Sequence, residues 1–142
     1  VVDFPDPSNY AVGKLYTVPF YRLLARHLRP GALFVVQSTS PLFARRTYWS
    51  IVATLQAAGL ATWPYHAYVP SFGEWGYVLA GAGTTYETPV ALPAGLRFLT
   101  VRELPSLFAF ATDMQAVPAR PNRLNDQVLV RYYEEEWGKV NR

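Results

Sequence analysis

Two carboxylates lie close together near the start of the chain, in the stretch DFPDPSNY. Asp3 and Asp6 are three residues apart in a turn that contains Pro5 and Pro7. Carboxylates at this spacing on a rigid turn can bind one cation end to end. They can also divide the work, with one deprotonating an amine and the other holding a second positive charge, which suits a diamine. An equal alternative is that both acids bond backbone amides of the turn, a common use of Asp beside proline.

Composition excludes several other kinds of chemistry. The 142 residues contain no cysteine, so disulfides and thiolate catalysis are excluded, and the two isolated histidines, His27 and His66, lead us to expect no metal site. The net charge of +3 is spread along the chain, and we expect no nucleic acid partner. No apolar run approaches the ~20 residues of a membrane span, so we expect no membrane contact from this chain itself.

The hydrophobic spacing predicts alternating helices and strands. Helices are predicted over 17–29 and 41–59, and strands over 32–37, 60–69 and 75–81. The continuous apolar run 32–37 is typical of a strand buried on both faces in a parallel sheet, whereas Pro64 favours an edge position for 60–69. A connection of about five residues forces the last two strands to be antiparallel, since a parallel crossover needs roughly a dozen.

This element order predicts half of a doubly wound α/β sheet over residues 1–83, ending in an antiparallel hairpin. Residues 84–142 are predicted to be a proline-rich loop and a helix over 122–138, with Leu124 on its apolar side, packed on the sheet or on a second subunit. The run Glu134 to Glu136 is typical of a solvated helix face, and Arg45 and Arg46 of the exposed side of a helix.

Three polar features follow or precede strands at one edge of the predicted sheet. Asp3 and Asp6 follow the first strand end, Gln37 follows the next strand, and the loop PSFGEW precedes the last. Because ligands of open α/β sheets bind outside the carboxyl ends of the strands, we expect these residues to converge. Glu74, in the same loop, is predicted to be a solvated acid that contributes no chemistry.

Four stretches together resemble a known family: DFPDPSNYAVGKLYTVPFYRLL, LFVVQSTSP, VPSFGEWGYVLA and NRLNDQVLVRYYEEEW. They are similar to the carboxyl-terminal half of the catalytic domain of the polyamine aminopropyltransferases, the spermidine synthase family. These stretches most resemble a bacterial branch of the family whose catalytic domain follows an amino-terminal multi-pass membrane region. The resemblance implies the carboxyl-terminal half of a Rossmann-like fold of the S-adenosylmethionine-methyltransferase type, with a carboxyl-terminal helix.

The resemblance also implies where the chain belongs. We expect residues 1–142 to be a partial catalytic domain of a longer parent, soluble and inactive by itself. The parent is expected at the bacterial inner membrane, with its catalytic domain in the cytoplasm, and as a homodimer.

Individual roles are implied in the same way. Asp3 matches the catalytic aspartate that orients and helps deprotonate the attacking amine, and Asp6 matches the aspartate that holds the far ammonium of the diamine. Gln37 matches a glutamine that contacts the polyamine. Phe72 stands where the family has a tyrosine, and it lacks the hydroxyl through which that tyrosine bonds the substrate. Pro7 matches a proline on the adenine or thioether side of the cosubstrate.

The implied reaction transfers an aminopropyl group from decarboxylated S-adenosylmethionine to putrescine, giving spermidine and 5'-methylthioadenosine. We expect no cofactor beyond that cosubstrate. Two alternatives stay open: an S-adenosylmethionine-dependent amine methyltransferase, whose acidic, proline-containing motif occupies the same strand end, and a non-catalytic polyamine-binding module.

Overall fold

A computed structural model describes residues 1–140 of the chain. The helices are α1 (Tyr10–Gly13), α2 (Val18–Arg26), α3 (Arg45–Ala57), α4 (Leu104–Leu107) and α5 (Val128–Val140), and a 3₁₀ turn, Lys14–Tyr16, joins α1 to α2. The strands are β1 (Leu33–Gln37), β2 (Ala61–Val69) and β3 (Gly73–Gly81). Within residues 1–140, no helix has both the length and the apolar character needed to cross a bilayer.

The three strands form one sheet in the order β1-β3-β2, with both neighbouring pairs antiparallel. Val2 adds a parallel bridge to Val36 on the free side of β1: its N–H donates to the Val35 carbonyl at 2.8 Å and its carbonyl accepts from the Gln37 N–H at 3.0 Å. The predicted α/β class, the parallel strand end and the antiparallel hairpin are therefore confirmed. In the described sheet β2 is an edge strand, which accommodates Pro64.

The prediction that the first full strand is buried on both faces was wrong. Phe34 and Val36 of β1 are buried, but Leu33, Val35 and Gln37, on the other face, are half-buried or exposed. The sequence run is continuously apolar because one face packs into the core, while the other face borders an open cleft. Hydrophobic character alone does not separate these two uses of an apolar residue.

Helix α3 covers the buried face of the sheet. Its side chains Tyr48, Ile51 and Leu55 are fully buried, and the Tyr48 hydroxyl lies 3.0 Å from the Tyr77 carbonyl of β3. At Gly76, an added Cβ would stand 2.4 Å from the Tyr48 ring and 2.8 Å from the carbonyl oxygen of residue 39. The sheet and α3 therefore approach so closely that only glycine fits at this position.

The terminal helix begins at Val128, not at residue 122 as the periodicity predicts. The Asn122 side chain is fully buried and donates to the Gly13 and Tyr16 carbonyls, and its Oδ1 accepts from the Leu129 N–H. These bonds hold residues 122–127 in a non-helical path, and Leu124 is exposed. Helix α5 packs mainly on α3, and Trp137 contacts Trp75 of β3, while packing on a second subunit stays a prediction.

Candidate functional site

The acidic turn is held in place by the tyrosine that ends the 3₁₀ turn. The buried Tyr16 hydroxyl lies 3.2 Å from the Phe4 carbonyl and 3.1 Å from the Pro5 carbonyl. This contact fixes the backbone between Asp3, whose side chain is exposed, and Asp6, which is half-buried. The Asp6 carboxylate accepts a hydrogen bond from Thr39, 33 residues later in the chain, so its partner lies outside the turn.

Two adjoining clefts open beside this turn. The larger has a volume of about 330 Å³ and is lined by Asp6, Gln37, Val69, Phe72, Trp75 and Tyr77. The smaller has a volume of about 210 Å³ and is lined by Val1, Val2, Asp3, Val35, Gln37, Tyr65 and Tyr77. Gln37 and Tyr77 line both clefts, so each cleft holds one acid and the two share a polar border.

Four of the five residues predicted for the site therefore come together: Asp3, Asp6, Gln37 and Phe72. The fifth, Pro7, is buried and lines neither cleft. Its predicted contact with the cosubstrate stays a prediction.

The carboxylate of Asp6 is bonded by groups that the sequence did not indicate. Thr39 Oγ1 donates to Asp6 Oδ2 at 3.0 Å, and the Tyr133 hydroxyl of α5 lies near the same carboxyl group. Trp137 Nε1 in turn donates to Thr39 Oγ1 at 3.2 Å. Burial raises the pKa of Asp6 above its ordinary value, and the neighbouring hydroxyl groups of Thr39 and Tyr133 oppose that shift.

The two acids act electrostatically on neighbouring tyrosines, and both of them act on Tyr16. Burial raises the pKa of Tyr16, and the negative charges of Asp6 and Asp3 raise it further. Burial also raises the pKa of Tyr77, with a smaller contribution from Asp3. The field of both carboxylates therefore overlaps at the site, an arrangement that favours a ligand with more than one positive charge.

The larger cleft has an aromatic wall opposite its acid. Phe72 is 60% exposed, and its ring centroid lies 5.2 Å from that of Trp75. Trp75 also lies 6.5 Å from Trp137, centroid to centroid. Phe72 offers no hydrogen bond, so this wall can contact methylene groups but cannot bind an ammonium through a hydroxyl.

Glu74 is not the solvated acid that was predicted. Glu74 is part of β3, its carboxylate lies 2.7 Å from His66 Nδ1, and His66 Nε2 lies 2.9 Å from the Ala109 carbonyl. Because successive side chains of a strand alternate in direction, Glu74 lies on the opposite face of β3 from Trp75. The acid therefore ties the hairpin to the carboxyl-terminal segment instead of being solvated, and it lines neither cleft.

The acidic run of α5 also has a structural role that the sequence did not indicate. Glu136 accepts hydrogen bonds from the backbone N–H groups of Arg46 and Thr47 and from Thr47 Oγ1, at 2.6 to 2.9 Å. The residue before α3 is Ala44, which has no side-chain acceptor, so Glu136 caps the helix in its place. Arg46 lies over the Tyr132 ring at 3.7 Å, and both features dock α5 on the start of α3.

Comparison with known proteins decides the family. A model described as spermine/spermidine synthase domain matches residues 1–90. The chain is 54% identical over 143 residues to polyamine aminopropyltransferase 2 of Ralstonia nicotianae, covering 100% of the chain and 28% of the relative. It is 48% identical over 144 residues to the polyamine aminopropyltransferase of Leptospira interrogans, covering 99% of the chain and 28% of the relative.

The chain belongs to the spermine/spermidine synthase family. Its mixed α/β sheet is part of the Rossmann-like methyltransferase fold of that family, as the resemblance implied. The chain spans somewhat more than a quarter of the length of the curated relatives that it matches. A third relative, polyamine aminopropyltransferase 1 of Streptomyces coelicolor, is 43% identical over 140 residues, with 96% of the chain and 26% of the relative covered.

Part of the site lies beyond the match to the spermine/spermidine synthase model. That match ends at residue 90, whereas Tyr133 and Trp137 lie on α5, in a segment shared with the full-length relatives. The sequence offered one signal: these two residues are four apart, so they stand on one face of a helix. Nothing in the spacing indicated that this face meets the acidic turn.

Proposed function

We propose that the protein to which this chain contributes transfers the aminopropyl group of decarboxylated S-adenosylmethionine to putrescine, giving spermidine and 5'-methylthioadenosine. The observation that carries the proposal is the placement of Asp3 and Asp6 in adjoining clefts that share Gln37 and Tyr77. A binding site for a short diamine needs an acidic group at each end and a passage between them for the methylene chain. The three relatives are all named polyamine aminopropyltransferase, which supports the reaction class.

In this proposal Asp3 serves the reacting end of the diamine. The attacking amine must lose a proton, which at a pKa near 10.4 costs roughly 1.4 kcal/mol for each pH unit below that value. The Asp3 carboxylate accepts this proton, the nitrogen lone pair forms a bond to the methylene beside the sulfonium, and the carbon–sulfur bond breaks. The sulfonium leaves as a neutral thioether, so no cofactor beyond the cosubstrate is needed, and the protein supplies alignment and a base.

Asp6 serves the other end. Its carboxylate pairs with the far ammonium, while Phe72, Trp75 and Tyr77 contact the methylene chain and the Gln37 side chain offers a polar contact at the border of the two clefts. Burial makes ionisation of Asp6 less favourable in the free protein, because desolvation disfavours its charged form. A bound ammonium restores that lost solvation, so the site selects a cation at this position.

The remaining parts of the parent are also proposals. The Ralstonia relative is about 510 residues long, since 143 residues are 28% of it. That length accommodates both the donor-binding half of the sheet and the amino-terminal multi-pass membrane region that the resemblance implies. Pro7, a buried residue of the acidic turn, is proposed to contact the adenine or thioether side of the donor.

The direct test incubates the full-length protein with putrescine and decarboxylated S-adenosylmethionine and analyses the products by mass spectrometry. We expect equal amounts of spermidine and methylthioadenosine. A parallel incubation with S-adenosylmethionine tests the competing reaction, since a methylated amine with S-adenosylhomocysteine would replace our proposal by an amine methyltransferase. Calorimetric binding of putrescine with no product from either donor would instead favour a polyamine-binding module.

A further inference from the structure

Helix α5 reaches Asp6 through an intermediate side chain. Trp137 Nε1 donates to Thr39 Oγ1 at 3.2 Å, and Thr39 Oγ1 donates to Asp6 Oδ2 at 3.0 Å. The Tyr133 hydroxyl, one helical turn before Trp137, lies close enough to lower the pKa of Asp6. Thr39 is fully buried and has a φ of 58°, a conformation that L residues with a branched Cβ seldom adopt. A strained residue held between an acid of the site and a terminal helix indicates that this connection serves the site.

The position of α5 is fixed by contacts with the rest of the fold. Glu136 caps the amino end of α3, and the Trp137 ring lies 6.0 Å from the Phe43 ring and 6.1 Å from the Tyr133 ring, centroid to centroid. Trp137 also adjoins Trp75 of the cleft wall. The helix is therefore held so that its two aromatic hydrogen-bond donors stay at the Asp6 end of the larger cleft.

The hydroxyl groups around the Asp6 carboxylate are neutral donors. Burial and the Asp6 charge raise the pKa of Tyr133 to about 12, so its hydroxyl keeps its proton and acts as a donor at neutral pH. Thr39, which receives the Trp137 N–H, has its own hydroxyl proton free to donate to Asp6. Asp6 is thus surrounded by neutral donors, which orient its carboxylate without neutralising the charge that an ammonium would meet.

We propose that α5 is part of the acceptor-amine site, with Tyr133 and Trp137 as positioning residues that hold the Asp6 carboxylate in the geometry required by the far ammonium of a diamine. This inference rests on the proposed function and adds to it a segment beyond residues 1–90. Recognition of the far ammonium at Asp6 then depends on helix α5, whereas deprotonation of the reacting amine at Asp3 does not.

The test compares Tyr133→Phe and Trp137→Phe with a matched control, Tyr132→Phe, in the full-length protein. Tyr132 is buried on the same helix under Arg46, and its ring contact survives loss of the hydroxyl. For Tyr133→Phe we expect the putrescine KM and the calorimetric Kd to rise roughly tenfold, the lower end for a hydrogen bond to a charged group. The kcat and the KM for the donor should change little, and the acidic limb of kcat/KM should move to higher pH.

Trp137→Phe keeps an aromatic ring but loses the N–H, so we expect a smaller increase in KM of about threefold in the same direction. Tyr132→Phe should match the wild type in all measurements. Equal putrescine KM in the Tyr133→Phe variant and the wild type would overturn the inference, as would an equal change in the Tyr132→Phe variant.

The calorimetric measurement separates failure of the inference from failure of the proposed reaction. If the wild type yields no spermidine but binds putrescine, and Tyr133→Phe weakens that binding, the reaction is wrong and the role of α5 stands. If the wild type yields spermidine and Tyr133→Phe behaves like it, the reaction stands and the role of α5 is wrong. No binding of putrescine by the wild type would overturn both.

Discussion

Gln37 of β1 and Tyr77 of β3 lie directly opposite each other in the sheet, and the same two side chains line both clefts of the site. Asp3 lies in one cleft and Asp6 in the other. The register of one antiparallel strand pair therefore separates the two acids while keeping them within reach of a single short ligand. Each acid can be tested for a different step, because each meets a different end of that ligand.

Asp6→Asn should abolish discrimination between putrescine and n-butylamine, which lacks the second amine. In the wild type we expect putrescine to have the higher kcat/KM by roughly 10- to 150-fold, the range for a hydrogen bond to a charged group. In the Asp6→Asn variant that ratio should approach one, with little change for butylamine. Asp113→Asn, at an exposed position outside both clefts, is the matched control and should keep the wild-type ratio. A preserved preference for putrescine in Asp6→Asn would contradict the anchoring role.

The Asp6→Asn variant should remain folded, and the direction of its change in stability follows from the pKa of Asp6. Its folded value is raised above the ordinary 3.8, so the native state binds the proton more tightly and stability falls as pH rises through the interval between the two values. At neutral pH the ionised Asp6 therefore costs stability. Asn removes that cost, and thermal melts should show no decrease in Tm relative to the wild type.

The pH dependence of acceptor affinity should follow the ionisation of Asp6. As pH falls through its raised pKa, Asp6 becomes neutral and loses the charge that pairs with the ammonium, so putrescine affinity should decrease on the acid side. Thr39→Val removes a donor that lowers this pKa, so its acidic limb should lie at higher pH than that of the wild type. Calorimetric titrations with putrescine from acidic to neutral pH test this, and coincident curves for the two proteins would count against it.

Gly76→Ala should damage both the fold and the site. The added methyl group would lie 2.4 Å from the Tyr48 ring and 2.8 Å from the Thr39 carbonyl, which accepts the Gly76 N–H at 2.7 Å. We expect a loss of about 1 to 3 kcal/mol in the free energy of unfolding, typical of overpacking, and a higher putrescine KM as Thr39 shifts. Denaturant titration measures the loss. Gly138→Ala is the control, because within residues 1–140 no group outside its own stretch of helix lies within 4 Å of the new methyl group; equal losses in the two variants would refute this account.

The sequence predicted those features that depend on local spacing. Apolar periodicity gave α2, α3 and the three strands, and the short link between β2 and β3 required their antiparallel pairing. Asp3, Asp6, Gln37 and Phe72 could be predicted to converge because the ends of neighbouring strands meet at one sheet edge. Long-range contacts were not predictable in this way. No local pattern indicates that β3 lies between β1 and β2, nor that Asn122 delays the start of α5.

The roles of three polar residues were missed for the same reason. Glu136 occurs in an acidic run that is typical of a solvated helix face. It nevertheless caps α3 by accepting a hydrogen bond from the N–H of Arg46, which lies 90 residues earlier in the chain. Glu74 and His66 become partners only because β2 and β3 pair in a given register. In each case tertiary packing determines the hydrogen-bond partner, so the partner cannot be inferred from neighbouring residues in the sequence.

Asp3→Asn tests the central claim most directly. In the full-length protein, formation of methylthioadenosine from putrescine and decarboxylated S-adenosylmethionine should fall about 10²- to 10⁴-fold, the usual contribution of a general base. Donor affinity and putrescine affinity should both stay close to the wild type, since Asp6 still holds the far ammonium. Because the deprotonated amine becomes common at high pH, the deficit should narrow as pH rises. Near-normal turnover by the Asp3→Asn variant at neutral pH would contradict the assignment of Asp3 and the account built on it.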